Sequence, residues 1–276
     1  MKQPFSYYGG KQRLAPRLIQ LIPQHKVYAE PFCGGASLFF AKINPIGEYY
    51  EVLNDYDHRI INFFEVLRDN GKQLCHMLSF TPYSEKLYME SKHYNGDDAL
   101  LKAYYFYINV NMSFSKDMNG GWSRSIKTKH NPNCFTRKVE LLPEFIEKLQ
   151  NVYLCCTDAL KVIEQFDSPT TFFYCDPPYP QSHQGHYSGY TQQDFDTLVT
   201  KLENIHGNFM LSCYSHTSAP FNYFDYDCLT SACQGKTENR KRTERIYYRG
   251  IRENMISKVF SDAKFDSPIS SDNFFY

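Results

Sequence analysis

The sequence predicts an α/β fold, in which short parallel strands form a sheet and a helical insertion interrupts the chain. Two apolar segments, at residues 51–53 and 170–175, have the length and composition of buried strands. Each runs directly into a polar residue that is followed by a turn or helix signal, a pattern typical of parallel sheets. Residues 61–149 then break the alternation of strand and helix, because most of that stretch has the apolar spacing of helices.

Two amphipathic helices are expected to pack on the faces of this sheet. The first follows Asp57, which can cap a helix N-terminus, and its apolar positions are Ile60, Ile61, Phe64 and Leu67. The second follows Thr191, with Asp194 three residues on in the pattern of a capping box, and its apolar positions are Phe195, Leu198, Val199, Leu202 and Ile205. Their spacing predicts one apolar face on each helix.

The helical stretch divides the chain into two predicted domains. Residues 1–60 and 150–276 would form a catalytic domain, and residues 61–149 an inserted helical domain. A chain of 276 residues is long enough for a core domain that carries a smaller one. The last residues, 261–276, show no periodicity, and we expect them to form a poorly ordered tail.

Charge and cysteine content narrow the functional classes. Thirty Lys and Arg side chains balance thirty Asp and Glu side chains, so any nucleic-acid binding must come from local basic clusters. Residues 124–138 and 236–252 contain such clusters, although a solvated surface is the alternative for each. The nine cysteines include no C-x-x-C pair, which indicates a reduced protein without a metal site. Without a signal-peptide pattern or an apolar run of about 18 residues, a cytoplasmic protein is expected.

The segment Asp176-Pro177-Pro178-Tyr179 is the strongest candidate for a site of chemistry. It follows the apolar residues 171–175, at the carboxyl end of a strand, where open α/β sheets bind ligands. Asp176 offers a carboxylate acceptor and Pro177 a backbone carbonyl that the two proline rings hold in place. Tyr179 offers a ring on which a base can stack. The alternative is a proline-rich turn that an aspartate initiates.

A second candidate element is the turn at residues 28–37. A short strand leads through Gly34 and Gly35 into a predicted helix over 36–43, which Asn44-Pro45 would end. Glycines at this place let the backbone approach a ligand closely, although a tight turn is the simpler alternative. Asp55 follows the next strand, where an acid in nucleotide-binding α/β folds accepts hydrogen bonds from ribose hydroxyls.

Two further positions complete the candidate set. Asp158 follows another predicted strand at 152–156, and Tyr7 and Lys11 belong to a glycine-containing segment at 7–11. The lysine ammonium could neutralise a carboxylate, whereas a surface turn is the alternative for the whole segment. The signatures of P-loop NTPases, zinc proteases and lipases do not occur in the sequence.

Taken together, these elements resemble the Dam-like family of adenine-N6 DNA methyltransferases. That family has a tyrosine-glycine-lysine segment, an F-x-G-G turn, a strand-end aspartate and D-P-P-Y in this order, and the match spans nearly the whole chain. The resemblance implies a seven-stranded Rossmann-like methyltransferase sheet, S-adenosylmethionine as the cofactor, and a helical target-recognition domain. The insertion at 61–149 would be that domain, and double-stranded DNA the partner.

The resemblance also implies roles for individual residues. Cofactor binding would fall to Glu30 near the cofactor's amino group, Asp55 at the ribose, Asp158 at the adenine amine, and the active-site carboxylate Asp176. The turn beneath the cofactor, and the contacts to its methionine end, would come from Phe32, Gly34, Gly35, Tyr7 and Lys11. Catalysis would fall to Asp176, Pro177, Pro178 and Tyr179.

The residues expected to face DNA lie in two segments. The loop at 114–124 occupies the place of the family's recognition loop but has a different sequence from that of members that recognise GATC. Its candidates for base or phosphate contacts are Lys116, Asn119, Trp122 and Arg124, and Lys127 just after the loop is a further candidate. The segment 239–248 is similar to the family's basic hairpin, and its candidates are Arg240, Lys241 and Arg242.

The predicted function is site-specific methylation of the exocyclic amine of an adenine that is flipped out of duplex DNA. One alternative is methyl transfer to another amine, on cytosine N4, an RNA base or a protein glutamine. The other is a catalytically silent DNA-binding module. We expect a bacterial or phage-encoded monomer or weak dimer, with a separately acting cognate restriction endonuclease left open.

Overall fold

A computed structural model describes residues 1–5, 7, 9–43, 47–114, 118–125, 130–180, 189–230 and 240–260. The described residues contain seven strands: β1 (Val27–Glu30), β2 (Tyr50–Asn54), β3 (Val152–Cys155), β4 (Thr171–Cys175), β5 (Asn208–Tyr214), β6 (Asn222–Thr230) and β7 (Arg240–Arg249). The predicted strands at 51–53, 152–156 and 170–175 correspond to β2, β3 and β4 within one residue at each end. The prediction of strands at these three places is therefore confirmed.

These strands form a single sheet in the order β3-β2-β1-β4-β5-β7-β6. Strands β1 to β5 run parallel, whereas β7 is antiparallel to both of its neighbours, β5 and β6. Every residue of β4 is buried, as expected for a parallel strand that is covered on both faces. The predicted α/β fold with a seven-stranded sheet is thus confirmed.

Helices connect the strands and cover the sheet. They are α1 (Ala15–Leu18), α2 (Ser37–Ala41), α3 (His58–Asp69), α4 (Gly71–Ser79), α5 (Glu85–His93), α6 (Ala99–Met112), α7 (Asn131–Leu141), α8 (Pro143–Leu149), α9 (Ala159–Phe166), α10 (Gln192–Glu203) and α11 (Glu253–Phe260). The two predicted amphipathic helices are α3 and α10. Asp57 caps α3 by accepting from the Arg59 N–H at 3.0 Å, and α10 begins at the predicted Thr191–Asp194 capping box.

One helix is shorter than its apolar pattern predicts. The expected helix over 36–43 is α2, which covers only Ser37–Ala41. Ala36 takes a left-handed conformation with φ of 51°, and Lys42 is extended. The helix ends early because Lys42 turns its ammonium into the interior, where it pairs with the buried carboxylate of Glu51.

Neighbouring residues of the central strands face different layers. Tyr28 and Phe172 belong to the larger hydrophobic cluster, which continues into α3 and α6. Ala29 and Phe173 belong to the second cluster, with α9 and α10. This alternation follows from the two-residue period of a strand. The sheet is therefore the middle layer between two sets of helices.

The helical insertion between β2 and β3 shares a core with the sheet. Helix α3 packs against α6, and the rings of Phe63 and Tyr107 stack with centroids 5.7 Å apart. Both rings belong to the cluster that also contains Tyr28 of β1. Helix α3 begins at His58, three residues before the proposed boundary at 61. The division into a catalytic and a recognition domain stays a prediction.

Some expectations concern residues outside the described part of the chain. These are Lys116, Lys127, the helix-ending pair Asn44-Pro45 and the tail at 261–276. None of the helices in the described ranges combines the length and the apolar character that crossing a bilayer requires.

Candidate active site

The strand order reverses between β1 and β4, which makes this pair the topological switch point of the sheet. Loops that leave the carboxyl ends of two such strands diverge to opposite sides, so a crevice opens between them. The loop after β1 carries the glycine turn, and the loop after β4 carries the tetrapeptide at 176–179. The strand order therefore brings the two strongest candidate segments to one place.

The side chains of Lys11, Asp176 and Tyr179 meet at this crevice. The Lys11 Nζ donates to Asp176 Oδ1 at 2.9 Å, and the Tyr179 hydroxyl donates to the same oxygen at 3.4 Å. The Lys11 Nζ also lies 5.0 Å from the centroid of the Tyr179 ring. Pro177 is buried and Pro178 half-buried between them. The tetrapeptide is thus anchored by a residue from the N-terminal segment.

Burial and charge act on this pair in opposite directions. Burial raises the pKa of the Asp176 carboxyl, and Lys11 offsets part of that rise. Burial alone would lower the pKa of Lys11, but Asp176 and Glu244 hold it well above its usual range. Lys11 is therefore charged, and its presence favours the ionised form of Asp176.

The glycine turn is closed over the Tyr7 ring. Gly34 has a φ of 48°, and a Cβ atom at this position would lie 2.5 Å from Cε1 of Tyr7. Only glycine combines the left-handed backbone with so close an approach. The Gly34 N–H donates to Asp55 Oδ2 at 2.9 Å, and Gly35 follows directly, next to Gln3. Tyr7, Gly34 and Asp55 therefore form one continuous surface.

Asn54 ties together the loops that follow β1, β2 and β3. Its side-chain Nδ2 donates to the Pro31 carbonyl at 2.8 Å and to the Thr157 carbonyl at 3.1 Å. Its Oδ1 accepts from the Thr157 N–H at 3.0 Å. This buried amide holds the strand ends in register, so that Asp55 keeps a fixed position relative to the glycine turn.

Glu30 lies at the end of β1 and is almost wholly buried. Its Oε1 accepts from the Tyr28 hydroxyl at 2.7 Å and from the Phe39 N–H at 2.8 Å. Burial raises the pKa of this carboxyl to about 8, against the lowering effect of the two hydrogen bonds. In the unliganded protein Glu30 is therefore largely protonated at neutral pH.

A protonated Glu30 predicts a pH dependence of folding. Its contribution to stability is fully present below the ordinary pKa of 4.5 and is lost as the pH rises through about 8. Glu30→Gln mimics the protonated form, so wild-type stability should fall relative to the variant by about 5 kcal/mol across that window, because the rise in pKa from 4.5 to about 8 is worth about 1.4 kcal/mol per unit. Urea unfolding at several pH values measures this difference. Parallel stability curves for the two proteins would show that Glu30 is ionised in the fold.

Phe32 follows β1, Asp158 follows β3, and Tyr190 precedes α10. Asp158 is exposed and caps α9 by accepting from the Leu160 N–H at 2.8 Å. The half-buried Phe32 ring packs edge-on against Tyr190, with centroids 6.3 Å apart. The charge of Asp158 is among those that raise the pKa of Tyr190, after burial and Cys175. Tyr190 therefore contacts Phe32 and lies within range of the charge of Asp158.

The candidates of the recognition loop have different surroundings. Asn119 and Arg124 are exposed, whereas Trp122 is half-buried, with its ring 5.8 Å from that of Tyr83. The loop is held on α5, where Lys92 donates to the Asn119 and Gly120 carbonyls at 3.2 and 2.9 Å. Arg240, Lys241 and Arg242 lie on β7, and their side chains are outside the description.

Three residues of the site were missed by sequence reasoning. Tyr190 packs on Phe32, and Glu244 and Tyr226 meet near Lys11, with the tyrosine hydroxyl 2.5 Å from Glu244 Oε2. Glu244 lies within the basic cluster at 236–252, where it counted only as an acid among arginines and lysines. Its place opposite β5 depends on strand pairing, for which the sequence carries no signal.

Comparison with known proteins assigns the family. A family model described as the D12 class N6 adenine-specific DNA methyltransferase matches residues 7–247, from the Tyr7 segment to the end of the site on β7. The chain belongs to this family. The predicted resemblance and the predicted reaction, methylation of adenine N6 in DNA, are confirmed at the level of the family.

Two relatives in sequence agree with this assignment. The chain is similar to the type II methyltransferase M1.LlaDCHI of Lactococcus lactis subsp. cremoris, with 25% identity over 70% of this chain and 72% of the relative. It is also similar to a DNA adenine methylase of Vibrio cholerae, with 26% identity over 68% of this chain and 69% of the relative. The solved rRNA methyltransferase aviRa of Streptomyces viridochromogenes aligns with 86% of this chain and 84% of its own, at 13% identity and a TM-score of 0.37.

Membership of this family has two general consequences. It implies DNA as the substrate, and it implies S-adenosylmethionine as the methyl donor, as for methyltransferases in general. It does not by itself assign a role to any side chain. The assignment of roles depends on the geometry of the crevice between β1 and β4.

Proposed function

We propose that this chain methylates the N6 amine of a flipped-out adenine in double-stranded DNA at the crevice between β1 and β4. The observation that carries the proposal is the position of Asp176 at the switch point, with Lys11 at 2.9 Å and the Tyr179 hydroxyl at 3.4 Å. In this proposal the Asp176 carboxylate, the Pro177 carbonyl and the Tyr179 ring surround one point. A planar base that carries an amine has the complementary shape and hydrogen-bonding groups.

The adenine amine is a weak nucleophile because its lone pair is delocalised into the ring. Asp176 and the Pro177 carbonyl would each accept a hydrogen bond from one N–H of the amine. These hydrogen bonds would draw the nitrogen toward a tetrahedral geometry, in which the lone pair is available. The two proline rings fix the carbonyl before the base arrives. The new N–C bond would form as the methyl–sulfur bond of the cofactor breaks and leaves a neutral thioether, so the nitrogen would become cationic. Asp176 is the nearest proposed acceptor for the proton that the nitrogen then releases.

Tyr179 provides the stacking surface for the flipped base. Its ring meets that of Tyr214 edge-on, with centroids 4.5 Å apart, and edge-to-face packing of this kind is favourable and directional. This contact supports a fixed orientation of the Tyr179 ring. Stacking of the base on that ring would offset part of the cost of removing it from the duplex.

The residues of the crevice fit S-adenosylmethionine. Its methionine end would lie over the Gly34–Gly35 turn, near Tyr7 and Lys11, with Glu30 close to the ammonium. The buried Asp55 would accept from the ribose hydroxyls. The adenine ring of the cofactor would lie by Phe32, with its amine toward Asp158. The cofactor supplies an activated methyl group on a sulfonium, so carboxylates are suitable neighbours for it.

Two segments of the chain are proposed to face DNA. The loop after α6, with Asn119, Trp122 and Arg124, would contact bases or phosphates, together with Lys116 and Lys127. The basic residues 240–242 at the start of β7 would contact phosphates. Residues 61–149 would then form the target-recognition domain, and residues 1–60 and 150–276 the catalytic domain.

The family assignment favours adenine in DNA over cytosine N4, an RNA base or a protein glutamine. The complete D-P-P-Y segment and its ion pair with Lys11 argue against a silent DNA-binding module.

We further propose a monomer or weak dimer, with a cognate restriction endonuclease as a separate partner. The type II methyltransferase among the relatives supports such pairing, and light scattering of the purified protein tests the oligomeric state.

Methylation of unmethylated genomic DNA tests the proposed function. The purified protein is incubated with that DNA and S-adenosylmethionine, and nucleosides are then analysed by mass spectrometry. We expect N6-methyladenine, and modification-sensitive sequencing then identifies the recognition site. N4-methylcytosine alone would contradict the proposal, as would unmodified DNA from a protein that demonstrably binds the cofactor.

A further inference from the structure

A second carboxylate lies beside the Lys11–Asp176 pair. Glu244 Oε2 is 3.7 Å from the Lys11 Nζ, which itself lies 2.9 Å from Asp176 Oδ1. The three side chains are largely buried, with exposed fractions of 10% for Lys11, 18% for Asp176 and 13% for Glu244. A single ammonium therefore lies near two carboxylates, one directly after β4 and the other on β7.

Strand pairing holds Glu244 in this place. On β7 it lies opposite Tyr214 of β5 on one side and Tyr226 of β6 on the other. The Tyr226 hydroxyl donates to Glu244 Oε2 at 2.5 Å, and the Tyr214 ring packs against Tyr179 of the tetrapeptide. Glu244 thus belongs to a fixed unit that contacts both Lys11 and the stacking residue.

The charges of this cluster have a consequence for the reaction. Lys11 alone would neutralise Asp176 and weaken it as an acceptor for a nitrogen that turns cationic during methyl transfer. With Glu244 ionised, two carboxylates face one ammonium, so the cluster keeps one net negative charge. At low local dielectric such a charge acts strongly on a developing cation. Glu30 adds little here while it is protonated, because burial raises its pKa to about 8.

We infer that Glu244 is a positioning residue that shares Lys11 with Asp176, and so keeps the Asp176 carboxylate oriented and available as an acceptor for the adenine amine. This inference rests on the proposed function of Asp176. The Tyr226 hydrogen bond directs the Glu244 carboxylate toward Lys11. Glu244 and Tyr226 would therefore act through Lys11 and not on the reacting atoms.

The test compares Glu244→Gln with Asp225→Asn. Asp225 pairs with Arg245 at 2.7 Å. This pair is next to the Tyr226–Glu244 pair on the same hairpin and points to the opposite face of the sheet. Glu244→Gln should lower kcat about tenfold or more and leave the KM for S-adenosylmethionine within about twofold, because the interaction acts in the transition state. Asp225→Asn should leave kcat unchanged. Glu244→Asp should recover part of the lost rate because it restores the charge.

The pH profile of kcat separates positioning from a structural role. Within the described part of the chain, the titratable groups that interact with Asp176 are Lys11, Glu244, Tyr174, Cys175, Tyr179 and Glu30. Glu244 is one cause of the raised pKa of Asp176, after burial and the opposing effect of Lys11. Its removal should therefore shift the acid limb of the profile to lower pH. A merely structural role would lower the amount of folded enzyme without moving this limb.

A second variant keeps the inference testable if Glu244→Gln folds poorly. Tyr226→Phe removes the hydrogen bond to Glu244 and keeps the charge, so kcat should fall by less than in Glu244→Gln. A wild-type kcat and acid limb in Glu244→Gln, or equal losses in Glu244→Gln and Asp225→Asn, would overturn the inference. Asp176→Ala tests the proposed function separately. If that variant is inactive, the proposed function stands whatever Glu244→Gln does, and if it is active, the proposed function fails.

Discussion

Asp176→Ala should bind S-adenosylmethionine and transfer no measurable methyl group. The substitution removes the carboxylate that would accept an adenine N6 hydrogen and take up the released proton. Loss of both roles should lower kcat at least about 1,000-fold, since acceptor groups and proton transfer each contribute factors of about 100 or more.

The variant should remain folded, which makes its inactivity interpretable. Lys11 keeps Glu244 as a partner at 3.7 Å, so its ammonium is not left without a countercharge. Radiolabel transfer to unmethylated DNA measures activity, and isothermal calorimetry measures cofactor affinity. Asp225→Asn, which removes a carboxylate from the hairpin rather than from the crevice, serves as the matched control. Turnover above about 1% of wild type, which is a loss of less than about a hundredfold, would contradict the role of Asp176.

Lys11→Met should produce the second large effect. Without the ammonium, Asp176 and Glu244 face each other in a largely buried site, and repulsion joins burial in raising the pKa of Asp176. We expect a fall in kcat/KM of about 100-fold at neutral pH and an acid limb that moves to higher pH. The KM for S-adenosylmethionine should rise as well, if Lys11 also contacts the methionine carboxylate.

The pH profiles of Lys11→Met and Glu244→Gln provide a mutual control. Removal of the positive charge should move the acid limb to higher pH, and removal of the negative charge should move it to lower pH. A general loss of folded protein cannot produce shifts of opposite sign. Shifts in the same direction would show that the acid limb reports a group other than Asp176.

Much of the local structure follows from adjacent residues. The Thr191–Asp194 capping box and the Asp57 cap lie where the sequence predicts them, because capping depends on side chains within three residues of the helix start. The tetrapeptide follows a strand because residues 171–175 are apolar and the proline pair ends the pairing. The motif order was also sufficient to predict the family.

Helix ends depend on more distant contacts. The apolar pattern favours a helix over 36–43, but α2 ends at Ala41 because Lys42 pairs with Glu51, nine residues away on β2. Tertiary burial therefore decided this boundary over local preference.

The sequence by itself determined the fold class, the family and the segments that carry the chemistry. Only the tertiary structure decided that Lys11 meets Asp176 across 165 residues of chain, and that Glu244 joins them. The physical reason is that apolar periodicity reports which face of an element is buried, but not which elements become neighbours. The strand order β1-β4-β5-β7 creates those neighbours, and it arises from the packing of the whole sheet.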